Sequence, residues 1–516
     1  MGADFKCIHS GTTVLNTQLT AYCGAGSSYV DNNLFLSTMA PRYRNIAVIG
    51  AGPSGISAVK ALHEEKVFDK IRIFERRDKP GGIWHYDPTP DVFPIPQNSP
   101  QSRNAIPKKL PQFVSPSPED TTARTGIYDF LDSNVGSKAM AFTHRPFPSV
   151  NSALSVKQFG HSNPTHPFRT IAGYLEDLFK DYHHLASFNT IVEKVEKQEG
   201  KWILTLRQSG HVRNDEPKDY WWQEEFDAVI VASGHYSVPL VPEIPGLEDA
   251  FAAHPAKFEH SKAYRSQNVY VDQRVVVVGG NVSSADLVVD LHAIVKAPLY
   301  LSQRGYNEAL QSAWELPNVQ TKPVISSIGS DSQGISVKFS DGSTVADVDK
   351  IIFATGYKLS YPFLTPDPVT PNNRVAGFYQ HVFKIGDPSL ALVGQIRAAI
   401  SFRSYEYQAV AVARYFAGRN AKPLPSPQQQ DSWEFERLKY KGPTTLFHEI
   451  KPDFKEYFDF LHDFAGPPAK DSDANELPAW EDRWAEQAFE VLQLKDNYWK
   501  SLKKAADSSS QVKAKL

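Results

Sequence analysis

Ile46-Ala47-Val48-Ile49 runs straight into Gly50-Ala51-Gly52-Pro53-Ser54-Gly55, and a helix-like stretch over residues 56–62 follows. An apolar strand, a glycine-rich turn and a helix in that order form the dinucleotide-binding fingerprint of a Rossmann-like fold. The chemistry needs these residue types. Gly50 allows the tight turn and Gly52 lets backbone approach a pyrophosphate. Gly55 lets helix and strand pack closely, with the positive end of the helix facing the phosphate charge. About twenty residues further on, the strand Ile71-Arg72-Ile73-Phe74 ends at Glu75. A carboxylate there accepts hydrogen bonds from ribose hydroxyls, which suits an unphosphorylated adenosine ribose.

The pattern recurs. Val275-Val276-Val277-Val278 precedes Gly279-Gly280-Asn281-Val282-Ser283-Ser284, and residues 285–291, beginning Ala285-Asp286, continue as a helix. Asn281 and Ser284 stand where the second and third glycines would be, so this loop alone is the weaker signal. Its next strand, Leu299-Tyr300-Leu301, ends in Ser302-Gln303-Arg304 with no acidic residue. A guanidinium and a hydroxyl at that strand end suit a 2′-phosphate, favouring NADPH over NADH. The alternative for Arg304 is a solvated surface arginine. Two such loops in one chain point to electron transfer between two bound dinucleotides.

Composition narrows the class. The chain has 516 residues and a formal net charge of -3, with 22% charged residues. It carries no basic field for nucleic acid. No apolar run approaches the roughly twenty residues that span a bilayer, so no membrane anchor is expected. The two cysteines, Cys7 and Cys23, both precede the first fingerprint. Disulfide reductases built on two dinucleotide folds need a redox cysteine pair beside the flavin. No cysteine follows the first fingerprint, so the electrons must go elsewhere, and oxygen is the expected acceptor. No metal site is expected.

Further motifs complete the reading. Gly81-Gly82-Ile83-Trp84 follows Glu75. Residues 128–142 contain Leu131-Asp132-Ser133-Asn134-Val135 and Met140-Ala141-Phe142. Val231-Ala232-Ser233-Gly234-His235-Tyr236 leads to Pro239, Pro242 and Ile244-Pro245-Gly246. Phe353-Ala354-Thr355-Gly356-Tyr357 is followed by Pro362-Phe363-Leu364. Asp387-Pro388-Ser389-Leu390, Val393-Gly394 and Glu406-Tyr407-Gln408 come last. Together these resemble the flavin-containing monooxygenases over residues 43–465. The resemblance implies two crossovers between domains, at Val231–Tyr236 and at Phe353–Tyr357, with Thr355 and Gly356 at the second. It implies FAD at the first fingerprint with Ile83, Trp84 and Ser133-Asn134-Val135 beside it, and NADPH at the second. Asn134 takes the place of the active-site asparagine. The family's chemistry is reduction of FAD by NADPH, formation of a C4a-hydroperoxyflavin with O2, and transfer of oxygen to an amine nitrogen or sulfur of a small molecule, as in N,N-dimethylaniline monooxygenases.

One motif departs. The family's Phe-x-Gly-x-x-x-His-x-x-x-Tyr/Phe reads here as His254, Ala256, His260 and Tyr264, with the first two positions changed. A Baeyer-Villiger monooxygenase acting on a ketone, or a flavin-binding redox protein that does not oxygenate, therefore stays open. For His260 a linker histidine without chemical role is the plain alternative.

The expected fold class is α/β, with two Rossmann-like dinucleotide-binding domains and the NADPH domain inserted in the FAD domain. The expected spans are a flexible extension over 1–40, an FAD-binding domain over 41–238 and 357–465, an NADPH-binding domain over 239–356, and a helical tail over 466–516. The extension lacks a signal-peptide pattern, and Met39 is an alternative start. A proline-rich stretch, 88–120, reads as a long loop over the flavin domain. Residues 170–187 read as a helix. Segments 190–192, 202–206 and 226–231 read as a small sheet. A helix over 480–502 docks on the body through Trp484, Phe489, Leu492 and Leu494. Ala514-Lys515-Leu516 is a variant of the peroxisomal Ser-Lys-Leu address, against a chance tripeptide in a cytoplasmic protein.

Overall fold

The strand Asn45–Ile49 is buried along four of its five residues, as expected of a parallel strand covered on both faces. Its side chains alternate. Ile46 and Val48 enter one core, with the helices Pro53–Glu65 and Ser401–Ala417. Ala47 and Ile49 enter another, with Trp202, Leu204, Leu206 and Phe226 of an antiparallel sheet. This period of two places a parallel sheet between a helical layer and a second sheet. The computed structural model describes residues 41–94 and 105–513, with side-chain surroundings as far as residue 508. Cys7, Cys23, Met39 and the rest of the 1–40 extension, residues 95–104, and the Ala514-Lys515-Leu516 tripeptide lie outside the described residues.

The central sheet has seven strands, in the order 378–379, 383–384, 390–392, 228–231, 45–49, 70–74 and 186–187. Strands from 390–392 onward pair in parallel, and the first two form an antiparallel edge. The second fingerprint repeats the plan. Five parallel strands run in the order 258–260, 350–353, 275–278, 299–302 and 319–322. Val275 and Val277 face the helix Val282–Leu291. Val276 and Val278 face the antiparallel strands 325–330, 335–339 and 344–348. This second unit lies in sequence between strands 228–231 and 390–392 of the first sheet, so the NADPH-side fold is inserted in the FAD-side fold. The connections in and out pair with each other as an antiparallel ribbon, Tyr357 with Pro239 and Lys358 with Val238.

Three segments differ from expectation, besides the expected 480–502 helix, which is two helices, Arg483–Gln487 and Glu490–Lys513. Residues 226–231 do not stay in the small sheet. The chain leaves it after Phe226, and Ala228–Val231 joins the central sheet. Asp227 makes the switch, accepting from the backbone N–H of Arg44 at 2.9 Å and of Asn45 at 2.8 Å. The expected 170–187 helix ends at Phe179, continues as a tighter turn to Leu185 and becomes the edge strand Ala186–Ser187. The proline-rich stretch supplies a strand, Gln112–Val114, to the small antiparallel sheet. It also sends Asp91 into a buried ion pair with Lys262 at 2.6 Å, so it reaches the inserted domain as well as the flavin side.

The tail is a strap. Helix Arg483–Gln487 puts Trp484 into the flavin-side core, and helix Glu490–Lys513 puts Trp499 into the core of the inserted domain. Among the described residues no helix is long and apolar enough to cross a membrane, and no group of three or more His, Cys, Asp or Glu is placed to hold a metal ion.

Candidate active site

The helix Pro53–Glu65 starts at Gly52 with no side chain capping its end, so first-turn N–H groups are left for phosphate oxygens. A Cβ on Gly55 would lie 1.8 Å from the Gly50 carbonyl oxygen, and no larger residue fits. Gly52 is different. A Cβ there would meet nothing closer than the Gly82 Cα, at 3.5 Å, an ordinary contact. The protein's own atoms leave room at Gly52, as a cradle for a pyrophosphate requires. The Gly81 N–H donates to the Ala51 carbonyl at 2.9 Å and seats the turn of Ile83 and Trp84 beside the loop. Glu75 is 4% exposed. It accepts from Ala51 N–H at 2.7 Å and from Arg77 N–H at 2.9 Å. It braces the loop, and each carboxylate oxygen keeps a lone pair for a ribose hydroxyl. The buried Ser233 hydroxyl, just past strand 228–231, has no partner. An open helix end, a glycine cradle and an unpaired polar atom fit a flavin dinucleotide.

The second fingerprint is closed by its own side chains. Asn281 Oδ1 accepts from Val282 N–H at 2.9 Å, and the Ser284 hydroxyl accepts from Asn281 N–H at 3.1 Å. This capping box replaces the two missing glycines. Ser284 and Ala285 are fully buried and Ser283 is exposed. A phosphate binding at this N–H would have to displace the Asn281 carboxamide from it. The Ser302 hydroxyl does not face the strand end. It is buried and donates to the Pro323 carbonyl at 2.9 Å, because strand pairing turns it inward. Arg304 is exposed, with no ion-pair or hydrogen-bond partner among the described residues. Buried Gln303 Oε1 is unpaired. The residues fit a 2′-phosphorylated dinucleotide through Arg304, without Ser302.

Thr355 and Gly356 belong to the crossover. The Thr355 hydroxyl donates to the Leu240 carbonyl, and the Gly356 carbonyl accepts from Leu240 N–H at 2.9 Å. His260 completes that joint. Its Nδ1 accepts from Lys262 N–H at 3.1 Å, so Nε2 carries the proton donated to Gly356 carbonyl at 2.9 Å. Burial pushes His260 down to about 4. It is a neutral latch between the crossovers, with neither nitrogen free for acid-base work. Tyr264, the other retained motif residue, is buried and donates to Asp290 at 3.0 Å. Burial first, and then the neighbouring Asp286, raise the Asp290 carboxyl to about 7. His254 is half-buried and bonds the Asp331 carbonyl at 2.8 Å.

Asn134 sits on a fixed turn. Buried Ser133 donates to the Val135 carbonyl at 2.8 Å and accepts from His166 N–H at 3.2 Å. Val135 packs on the flavin-side core. Asn134 itself is exposed, and its Oδ1 accepts from Lys495 Nζ. The same ammonium lies 2.7 Å from Asp286 Oδ1, on the second-fingerprint helix. Asn134 and Asp286 are thus joined through a residue that sequence reasoning passed over. One signal marked it: residues 492, 495 and 499 share a helical stripe, and a lysine there interrupts the apolar Leu492 and Trp499.

Comparison with known proteins bears on the fold and the family. The family described as Flavin-binding monooxygenase-like matches residues 306–470, Pyridine nucleotide-disulphide oxidoreductase matches 130–380, and NAD(P)-binding Rossmann-like domain matches 48–96. Flavin-containing monooxygenase FMO GS-OX1 of Arabidopsis thaliana is 30% identical over 398 residues, 76% of this chain and 78% of that protein. The chain belongs to the flavin-containing monooxygenases. As a flavin-containing monooxygenase it is an oxidoreductase whose cofactors are FAD and NADPH. Flavin-containing monooxygenase iboF of Amanita muscaria is 29% identical over 433 residues, 74% of this chain and 80% of that one. The solved S-allyl-L-cysteine S-oxygenase from Allium sativum shares the fold, with a TM-score of 0.67 at 24% identity, over 92% of this chain and 99% of that chain.

Proposed function

We propose that this flavin-containing monooxygenase uses NADPH and O2 to oxygenate a soft nucleophile, an amine nitrogen or sulfur of a small molecule, with Asn134 facing the reacting atoms. The observation that carries this reading is the setting of Asn134. It is exposed, on a turn locked by Ser133, and one lysine away from the second-fingerprint helix. Bound FAD supplies the oxygen-activating chemistry, with NADPH as hydride source. The chain supplies position. Glu75 and the Gly52 cradle hold the flavin dinucleotide, and Arg304 pairs with the 2′-phosphate of NADPH. The Asn134 amide donates a hydrogen bond where negative charge gathers. His260, neutral and fully bonded, does no proton transfer.

Replacing Asn134 by alanine tests this. Flavin content and NADPH oxidation should persist, while product formation falls by about 10²–10³-fold, or about 2.7–4 kcal/mol. The NADPH consumed should appear as hydrogen peroxide. Product yield per NADPH equal to wild type would remove Asn134 from the site. Product analysis across amine, sulfide and ketone panels separates nitrogen or sulfur oxygenation from ester formation.

A further inference from the structure

The flavin-binding monooxygenase-like match ends at residue 470, yet the strap beyond it reaches into the candidate site. Trp484 anchors it on the flavin-side core, and Trp499 on the inserted domain. Asp496 accepts from the Ser312 hydroxyl at 2.6 Å, and Lys503 pairs with Glu315 at 2.7 Å. Between these anchors Lys495 projects toward Asn134 and Asp286. Its side chain is 17% exposed. Asp286 is in direct contact with that ammonium, whose field also reaches Asp132 and Asp290, lowering both against the larger raising effect of burial. Asp132 accepts from Ser152, and Asp290 from Tyr264. An ammonium has three donors and no acceptor, so the group it meets on Asn134 is the carbonyl oxygen. The amide nitrogen is thereby turned away from the strap.

We propose that Lys495 is a positioning residue: held by Asp286 on the inserted domain, it engages the Asn134 oxygen and leaves the carboxamide a pure hydrogen-bond donor toward the reaction. This rests on the reading of Asn134 given above. An unanchored asparagine can flip and present its oxygen, which repels developing negative charge. A lysine shared with Asp286 removes that choice. It also makes the donor's orientation depend on the two cofactor folds being strapped together.

The test uses the FAD-loaded protein and the variants Lys495→Met, Lys495→Arg, Asn134→Ala and the double Asn134→Ala/Lys495→Met. Two quantities are read: the ratio of hydrogen peroxide to product per NADPH, and amide hydrogen exchange of peptides covering 128–136 without NADPH or substrate. Lys495→Met should raise the ratio about tenfold, the loss of one charge-assisted hydrogen bond. It should also speed exchange in the Asn134 turn. Lys495→Arg should restore most of both. The double variant should be no worse than Asn134→Ala, because the lysine acts through the asparagine. Lys495→Gln replaces the methionine variant if that one does not fold. A wild-type ratio and exchange in Lys495→Met, or losses that add in the double variant, overturn the proposal and leave the role of Asn134 standing. A wild-type ratio in Asn134→Ala overturns that role, and this proposal with it.

Discussion

The two fingerprint loops occupy the same place in two copies of one plan, and they meet a phosphate differently. At the first, glycine at positions 52 and 55 leaves the helix end bare. At the second, Asn281 and Ser284 fill the corresponding positions and cap the helix themselves. The open end suits a cofactor that stays, because nothing must move to admit it. The capped end suits one that comes and goes, because the carboxamide satisfies the helix whenever the nucleotide is absent. The groups proposed to select each nucleotide also sit at opposite poles, a buried carboxylate at Glu75 and an exposed guanidinium at Arg304.

The sharpest way to break this comparison is Gly55→Ala. With a Cβ 1.8 Å from a backbone oxygen, the loop must distort, costing about 4 kcal/mol or more. Thermal unfolding and the yield of folded protein report it; near-wild-type stability would show that the first loop tolerates what the second has at Ser284. Gly52→Ala separates fold from ligand. The apoprotein should keep its stability while flavin binding weakens by about 1.5–3 kcal/mol for each hydrogen bond to phosphate that the methyl group prevents. Full flavin content in that variant would mean no pyrophosphate lies against Gly52.

Arg304→Ala should raise the KM for NADPH about tenfold, or about 1.4 kcal/mol, the modest value proper to an exposed charge, and leave NADH nearly unchanged. Equal damage to both nucleotides would assign Arg304 a structural part. Asn281→Ala should lower stability by about 1 kcal/mol, the worth of an N-cap, without a matching loss in NADP⁺ affinity by calorimetry. An affinity loss exceeding the stability loss would show that Asn281 grips the nucleotide rather than standing in for it.

Much of this comparison was legible from residues alone, because a Rossmann loop concentrates its physics in a few consecutive positions. Glu75, Gly52 and Gly55 are local statements. So are both parallel sheets, whose valine- and isoleucine-rich strands adjoin their loops. What stayed hidden depends on pairing at long range. Ser302 faces inward because of the strand beside it, which its own sequence does not record. The switch of sheets at Asp227 depends on Arg44 and Asn45, far upstream. Lys495 meets Asn134 across a separation of 361 residues. In its own helix it reads as one more polar residue.

The order of strands in the flavin-side sheet has a kinetic consequence. Residue 46 pairs with 228, and residue 229 with 390. The pairing of 229 with 390 cannot form until the whole inserted stretch between them has been made. Chains with such distant pairings refold slowly and carry unpaired strand edges meanwhile. During synthesis the strands of the inserted domain, nearer neighbours in sequence, all emerge before the host's last parallel strand, although Trp499 joins the inserted domain's core only at the end. The host then gains its last parallel strand at Leu390–Leu392. The capped second loop is a self-sufficient helix end during that wait, whereas the bare first loop meets its ligand in a sheet that closes late.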